Sequence, residues 1–316
     1  MDTIKISLEE IAGFESLFDA LQKAMRGKWK KSGEVANFLL KFEEELIKLN
    51  EELNNRRYKH SSYKNFYIYD PKKRLISVPA FRDRIVHHAV HDNILPKIQP
   101  LFIKSSHACL PGRGMHSAWK EFRNCLDKKE NKWILHGDIK KFFPSINREI
   151  LKKLLNETFV GDGLIWLLEE IVNSAAGIQG FHKRGIPIGN LTSQFFANFY
   201  LHVLDIYAAH VLGIKSYIRY MDDFWIFGES KEALKEIRTN IAMFLDMKLN
   251  LTLHPEKSEI LRKNKAHMNV LCWQLYGKRR LIRMRIWNRM KARLNKREFL
   301  NDDYAAIGMY LGLLMP

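Results

Sequence analysis

The stretch SYIRYMDDFWIFG, residues 216–228, decides how the rest of the chain is read. Apolar β-formers flank Asp222 and Asp223, the pattern of a tight hairpin with two carboxylates at its tip. Two adjacent acids among aromatics are unfavourable unless a cation or hydrogen-bond donors compensate them. Mg²⁺ is such a cation, held by one or two carboxylates together with substrate phosphates. Asp302-Asp303 serves as an internal control: with no strand around it, that pair reads as the cap of a new helical pattern.

A third acid ends another apolar strand, NKWILHGD (131–138). Two-metal nucleotidyl transfer needs carboxylates from different strands converging on ions about 3.5–4 Å apart. Asp138, Asp222 and Asp223 meet that requirement if their strands are neighbours. Between them lies GIPIGNLTSQ (185–194), a Gly/Pro loop that Thr192 or Ser193 would cap into a helix.

Outward from these segments the chain reads as mixed α+β without a repeat or a long linker. Residues 1–60 are helical, with Val35, Phe38, Leu39, Phe42, Leu46 and Leu49 at helical spacing over 34–54 and acids opposite. Arg26, Lys28, Lys30 and Lys31 form a basic linker before that helix. Residues 66–80 read as a hairpin turning at Asp70-Pro71, and 81–98 as a helix. Helices are expected over 148–157, 163–174, 191–212 and 230–247, with strands at 249–253, 258–261 and 269–276 before a basic helical C-terminal region. His87 and His91 share a helical face and would suit Zn²⁺, but with no third ligand nearby they read as packed helix residues.

The 316 residues carry 52 Lys+Arg against 35 Asp+Glu, a net charge of +17, and the pI of about 9.7 suits a polyanionic partner. With 46% hydrophobic residues the chain is not a disordered one. Three cysteines without CxxC spacing exclude a disulfide scaffold or zinc ribbon. The N-terminus has acids where a signal peptide carries basic and apolar regions, and no apolar run reaches the roughly 18 residues of a membrane span. A soluble, cytoplasmic protein with no membrane partner is expected.

In order, DIKKFFPSI from Asp138, GIPIGNLTSQ from Gly185 and YMDD from Tyr220 resemble the palm motifs of reverse transcriptases. The resemblance implies an α+β right-hand polymerase fold: an N-terminal helical extension (1–60), fingers (61–130), a palm with an antiparallel sheet backed by helices (131–277, with 148–186 contributing to fingers) and a helical thumb (278–316). It implies two Mg²⁺ ions, replaceable by Mn²⁺, held by Asp138 and Asp222 with Asp223 in support. Phe143, five residues after the first acid, falls on the family's steric gate against ribonucleotides. Lys73 and Arg74, beside Lys72 on the first hairpin, correspond to residues that grip the nucleotide triphosphate, as does Lys257 in LHPEKSE. Arg82, Arg84, Ser193, Gln194 and Tyr220 fall at nucleic-acid contacts. So do Arg283, Arg285 and Arg289, which alternate with Trp287, Met290 and Leu294 in a thumb-like pattern. Residues 269–277 fall on the primer grip, with Cys272 where the family has glycine.

The middle motif narrows the family. Most retroviral and intron-type members carry Gln-Gly and close in Ser-Pro; here Ile188 precedes Gly189 and the motif closes in Ser193-Gln194. That pattern is similar to the enzymes of bacterial and phage diversity-generating retroelements, which copy a template-repeat RNA into cDNA with errors at adenines. A missing amide at Ile188 would remove a polar contact near the incoming nucleotide and loosen discrimination. The partners implied are template RNA, primer or cDNA, dNTPs and a small basic accessory protein that forms a homo-oligomeric ring. The rival readings are a retron or phage-defence reverse transcriptase, and an RNA-binding scaffold that has kept the fold without synthesis.

Overall fold

A computed structural model describes residues 3–26, 33–69, 72–178, 183–265, 267–276 and 279–295. In chain order the elements begin with β1 (Ile4–Lys5), α1 (Leu8–Ala12), α2 (Phe14–Met25), α3 (Gly33–Leu39), α4 (Phe42–Asn54), β2 (Lys64–Ile68), β3 (Arg74–Val78) and α5 (Phe81–Ile98). They continue with α6 (Met115–Asp127), β4 (Trp133–Asp138), α7 (Phe142–Ser145), α8 (Arg148–Thr158), β5 (Phe159–Val160), α9 (Asp162–Ser174) and α10 (Leu191–Ile206). The last are β6 (Tyr217–Tyr220), β7 (Asp223–Gly228), α11 (Lys231–Leu249), β8 (Glu259–Arg262), β9 (His267–Val270), β10 (Trp273–Tyr276), β11 (Arg279–Ile282) and α12 (Met284–Asn295). The chain divides into two compact units: Met1–Ile103, Ile139–Ile206 and Met243–Thr252 form unit 1, and Lys104–Asp138, Tyr207–Ala242 and Leu253–Pro316 form unit 2.

Unit 1 is mainly helical. A capping box of Ser7 and Glu10 starts α1, and the Asn147 side chain accepts from the Glu149 and Ile150 amides to start α8. α4 buries Leu46, Leu49 and Leu53 at helical spacing while Glu43 and Glu44 stay exposed. α10 buries residues all round, from Thr192 to Asp205, as expected of a helix at the centre of its unit. The hairpin of β2 and β3 pairs Lys64 with Val78 through Ile68 with Arg74.

Unit 2 is built on an antiparallel sheet of order β6-β7-β4-β8. Its register sets Ile134 opposite Phe227, His136 opposite Trp225 and Asp138 opposite Asp223, so these six share a face. Ile134, Trp225 and Phe227 pack there with Trp119, Phe122 and Cys125 of α6 and with Met268, Val270, Trp273 and Leu275 of the second sheet, β11-β10-β9. On the opposite face Gly137 lies under Phe224: a Cβ at Gly137 would come within 2.1 Å of the Phe224 ring. Glycine here is a packing requirement, because the aromatic ring occupies the volume a side chain would take.

Several expected elements differ in detail. The 34–54 helix is two helices, α3 and α4, interrupted at Leu40 and Lys41, where an 83% exposed Leu40 ends the first apolar stripe. The helix expected to run to 212 changes at Ile206 into a π-helical turn, Tyr207–Val211. No strand forms over 249–253; α11 extends to Leu249 instead. The basic C-terminal region begins as a strand, β11, which pairs with β10, and becomes helical only at Met284. The Asp70-Pro71 turn, Lys28, Lys30 and Lys31, and the Asp302-Asp303 pair lie outside the described residues.

Gly137→Ala is expected to destabilise the chain by about 3 kcal/mol, since overpacking of a filled core costs about 1–3 kcal/mol and the contact is with a fully buried ring. Urea denaturation checks this; an unchanged midpoint would show that Phe224 moves aside freely.

Candidate functional site

The acids of the opening stretch come together in unit 2. Tyr220 pairs with Asp223 across β6 and β7, so Met221 and Asp222 form a two-residue turn, and Asp223 faces Asp138 on β4. Met221 takes a left-handed conformation (φ 55°), which is costly for a residue with a side chain. Arg219 offsets that cost: its buried guanidinium donates to the Met221 carbonyl (3.2 Å) and to Ser106 Oγ (2.9 Å). The Arg219 backbone also pairs with Ser105 O (2.9 Å) and His107 N (3.0 Å), tying the hairpin to the 105–107 segment.

Each carboxylate has a different environment. Asp138 Oδ2 accepts from Lys257 Nζ at 2.7 Å, and its backbone carbonyl accepts from the His254 amide at 2.7 Å. Asp223 Oδ1 lies 3.0 Å from His136 Nε2, and the His136 ring stacks on Trp225 at 5.4 Å. The Asp222 carboxyl is pushed up to about 6, first by burial and then by the negative charges of Asp223 and Asp138, which Lys257 only partly offsets. The cluster therefore holds excess negative charge and offers only hard oxygen donors, a set that fits Mg²⁺. In their present positions no group of three or more acid, His or Cys side chains converges as a metal cage among the described residues.

The other expected residues of unit 2 are placed as follows. Tyr220 is half-buried, and burial raises its hydroxyl pKa. Residues 269–276 lie in the hairpin of β9 and β10, with the left-handed position at Leu271 (φ 55°) and not at Cys272; residue 277 lies outside the described residues. Arg283 donates to the Leu271 carbonyl at 3.2 Å, repeating what Arg219 does for Met221. Arg285 is exposed on α12, and Arg289 on the same helix is half-buried.

In unit 1 the GIPIGNLTSQ segment is fixed by backbone hydrogen bonds from three sides. Gly185 N donates to Ile146 O (2.8 Å), Ile186 N to Phe143 O (3.1 Å), and Ser77 N of β3 to Ile188 O (3.0 Å). Gly189 has φ 118°, and a Cβ there would lie 3.1 Å from Ile76 and 3.3 Å from the Ser77 carbonyl, so the loop approaches β3 closely. Phe143, Ile188, Gly189 and the hairpin bearing Lys73 and Arg74 are thus brought together. Lys73 and Arg74 are exposed, with Lys73 Nζ 4.3 Å from the centre of the Tyr67 ring. Ser193 is buried and Gln194 exposed on α10. Arg82 and Arg84 are engaged within the protein: Arg82 pairs with Glu52 and covers Tyr58, while Arg84 lies over Phe81, 3.8 Å from Glu34.

The sequence reading missed His136, Arg219 and His254. His136 was legible, being two residues before Asp138 on a strand and therefore on the same face. Arg219 and His254 gave no local signal, because their partners, Met221 O with Ser106 and Asp138 O, depend on turn geometry and tertiary pairing. His87 and His91 do not act together: His87 is buried against Thr192 and His60, and His91 pairs with Asp92.

A family model described as reverse transcriptase (RNA-dependent DNA polymerase) matches residues 60–297, and the chain belongs to this family of RNA-directed DNA polymerases. It is 31% identical over 140 residues to a protein of Schizosaccharomyces pombe named as an uncharacterized 91 kDa protein in the cob intron, covering 42% of this chain and 17% of that one. With the group II intron-encoded protein LtrA of Lactococcus lactis it shares 28% identity over 170 residues, 52% of this chain and 28% of LtrA. With protein YkfC of Escherichia coli it shares 24% over 261 residues, 70% of this chain and 68% of YkfC. The matches thus span less than a third of the first two relatives. No described helix is long and apolar enough to cross a membrane.

The Asp222 shift sets a pH dependence. Its carboxyl ionises near 6 in the folded chain against an ordinary 3.8, so it favours folding at low pH and that contribution is lost as pH rises through 6. In chelator-containing buffer Asp222→Asn is expected to stabilise the fold by about 1–2 kcal/mol at pH 8 and by almost nothing at pH 4. Urea melts at the two pH values measure this, and an equal gain at both would contradict the assigned repulsion.

Proposed function

We propose that this protein copies a template-repeat RNA into cDNA with errors at adenines, for the diversification of a target gene. The observation that carries the polymerase part is the register opposing Asp138 to Asp223, with Asp222 in the adjoining turn. The reaction is attack of a primer 3′-hydroxyl on the α-phosphate of a dNTP, with pyrophosphate leaving. Asp138, Asp222 and Asp223 would hold two Mg²⁺ ions, or Mn²⁺ in their place, which would supply charge to lower the pKa of that hydroxyl and to neutralise the leaving group.

The chain's own residues take the remaining roles. Lys257, held at Asp138, carries an ammonium proton suited to the departing pyrophosphate. Lys73 and Arg74 present exposed cations for the triphosphate. Phe143 sets an aromatic face against a ribose 2′-hydroxyl. The basic residues Arg285 and Arg289 track duplex phosphates. These roles correspond to a right hand whose fingers, palm and thumb follow the boundaries given above. The finer reading rests on Ile188-Gly189 and Ser193-Gln194: an aliphatic side chain at 188 offers no amide to hold the nucleotide, so correct and incorrect pairs are separated less. A retron or phage-defence enzyme would share the three acids but not this pattern. Template RNA, primer, dNTPs and a small basic ring-forming accessory protein are the proposed partners.

The double variant Asp222→Ala, Asp223→Ala is expected to lower cDNA synthesis by about 10³-fold or more, as loss of several kcal/mol of charge stabilisation requires. Retained synthesis would refute the assignment, and unchanged biological output without cDNA would favour a scaffold. Ile188→Gln is expected to misincorporate less often opposite template adenine; matching error spectra would remove the retroelement reading while leaving the polymerase.

A further inference from the structure

A second connected set of buried polar groups lies within unit 1, where the 58–63 segment, α5 and the start of α10 meet. His60 Nδ1 lies 2.6 Å from the Ser61 carbonyl, His60 Nε2 lies 3.0 Å from His87 Nε2, and His87 Nδ1 lies 2.5 Å from Thr192 Oγ1. Thr192 is fully buried and His87 is 2% exposed. A carbonyl only accepts, so His60 Nδ1 carries a proton. His60 Nε2 and His87 Nε2 share one hydrogen bond, and His87 Nδ1 and the Thr192 hydroxyl share another, while the buried Asp83 carboxylate lies 3.8 Å from His60 Nδ1. The contacts link the 58–63 segment, α5 and the start of α10 in one continuous hydrogen-bonded chain. Burial, helped by His60 and His88, pushes the His87 pKa well below its usual value, in keeping with a neutral ring.

A parallel connection runs beside it. Asn190 Nδ2 donates to Tyr63 Oη at 3.1 Å, and Tyr63 Oη shares a hydrogen bond with Ser174 Oγ at 2.7 Å. The Tyr63 ring lies 4.7 Å from that of His60. Two polar side chains that could cap α10, Asn190 and Thr192, are therefore turned to Tyr63 and His87.

This arrangement matters because of what lies between its anchors. Residues 185–188 are held by backbone bonds to Ile146, Phe143 and Ser77, whereas residues 190 and 192 are held through side chains. Gly189 separates the two halves, with a φ of 118° open to glycine and rarely to other residues. Ile188 is thus flanked by a backbone bond to β3 on one side and, across Gly189, by the side-chain anchors of residues 190 and 192 on the other. A valine at 192 and a phenylalanine at 87 would fill the same volumes with apolar atoms, so packing alone does not call for the polar pair.

We propose that His87 and Thr192, supported by His60, are positioning residues for nucleotide selection, fixing the start of α10 and through Gly189 the presentation of Ile188. The proposal rests on the reading of Ile188 as a nucleotide-facing residue. It is separable from that reading by combining amide hydrogen exchange over 185–194 with incorporation kinetics on a primed RNA template. In Thr192→Val and in His87→Phe, exchange over this segment is expected to quicken by about tenfold as the local opening free energy falls. The dNTP KM is expected to rise about three- to tenfold with kcat within about twofold, together with an altered error frequency. Thr192→Ser, which keeps the hydroxyl, is expected to restore all of these.

Unchanged exchange in folded Thr192→Val and His87→Phe would overturn the proposal. So would quickened exchange with parental KM and error spectrum in an enzyme whose errors do respond to Ile188→Gln. A uniform drop in kcat with constant KM would also overturn it, since that is what loss of folded enzyme gives. If Ile188→Gln leaves errors unchanged, the nucleotide-facing reading falls, and the exchange measurement alone then decides whether the hydrogen-bonded chain fixes the segment.

Discussion

Three carboxylates repel one another in unit 2, and much of that unit can be understood as the apparatus that keeps them together. Asp223 and Asp138 face each other across neighbouring strands while Asp222 sits in the turn beside them, so the charge cannot disperse without breaking the sheet register. The turn is held by the buried guanidinium of Arg219 on β6, which donates to Met221 O and Ser106 Oγ. His136 and Lys257 each take one carboxylate, leaving Asp222 as the acid whose ionisation is disfavoured, first by burial and then by its charged neighbours. The aromatic packing of Trp225, Phe227, Trp119 and Trp273 on the same face gives these polar contacts a rigid base.

One device is used twice. In both the 220–223 and the 270–273 hairpins a large residue, Met221 or Leu271, occupies the first turn position at φ 55° where glycine would be unstrained. In both cases an arginine, Arg219 or Arg283, donates to that residue's carbonyl at 3.2 Å. The arginine thereby offsets the conformational cost, and a full side chain is kept at the turn. This resolves the question raised by Cys272 in place of glycine: the turn's left-handed position is at Leu271, so glycine is not needed at 272.

Unit 1 shows a different logic, in which backbone proximity carries the specificity. The hairpin of β2 and β3 is joined to the 185–194 segment through Ser77 and Ile188, and Gly189 allows β3 to come that close. The basic residues Arg82 and Arg84 are committed to Glu52 and Glu34, so part of the positive charge expected for phosphates instead joins α5 to α3 and α4. Lys73 and Arg74 remain exposed. Net charge alone does not tell which arginines are free to meet a polyanion and which are spent on internal ion pairs.

The acids, the central hairpin, the strand ending at Asp138 and the loop before α10 were legible because each is a local pattern: alternation, a glycine, or a charge that interrupts an apolar run. The break between α3 and α4, the π-helical turn after Ile206 and the pairing of β11 were not, since each depends on where neighbouring elements place their apolar surface. The same division holds for the candidate site. By itself the sequence determined which side chains of the proposed site are acidic, basic or aliphatic: Asp138, Asp222, Asp223, Lys257 and Ile188. Only the tertiary structure decided that Asp223 takes His136, that Arg219 donates to the turn carbonyl at Met221, and that His87 and Thr192 share a buried hydrogen bond. The physical reason is that a residue's chemistry is a property of its covalent structure, while its charge state and direction depend on groups that only folding brings within hydrogen-bonding reach.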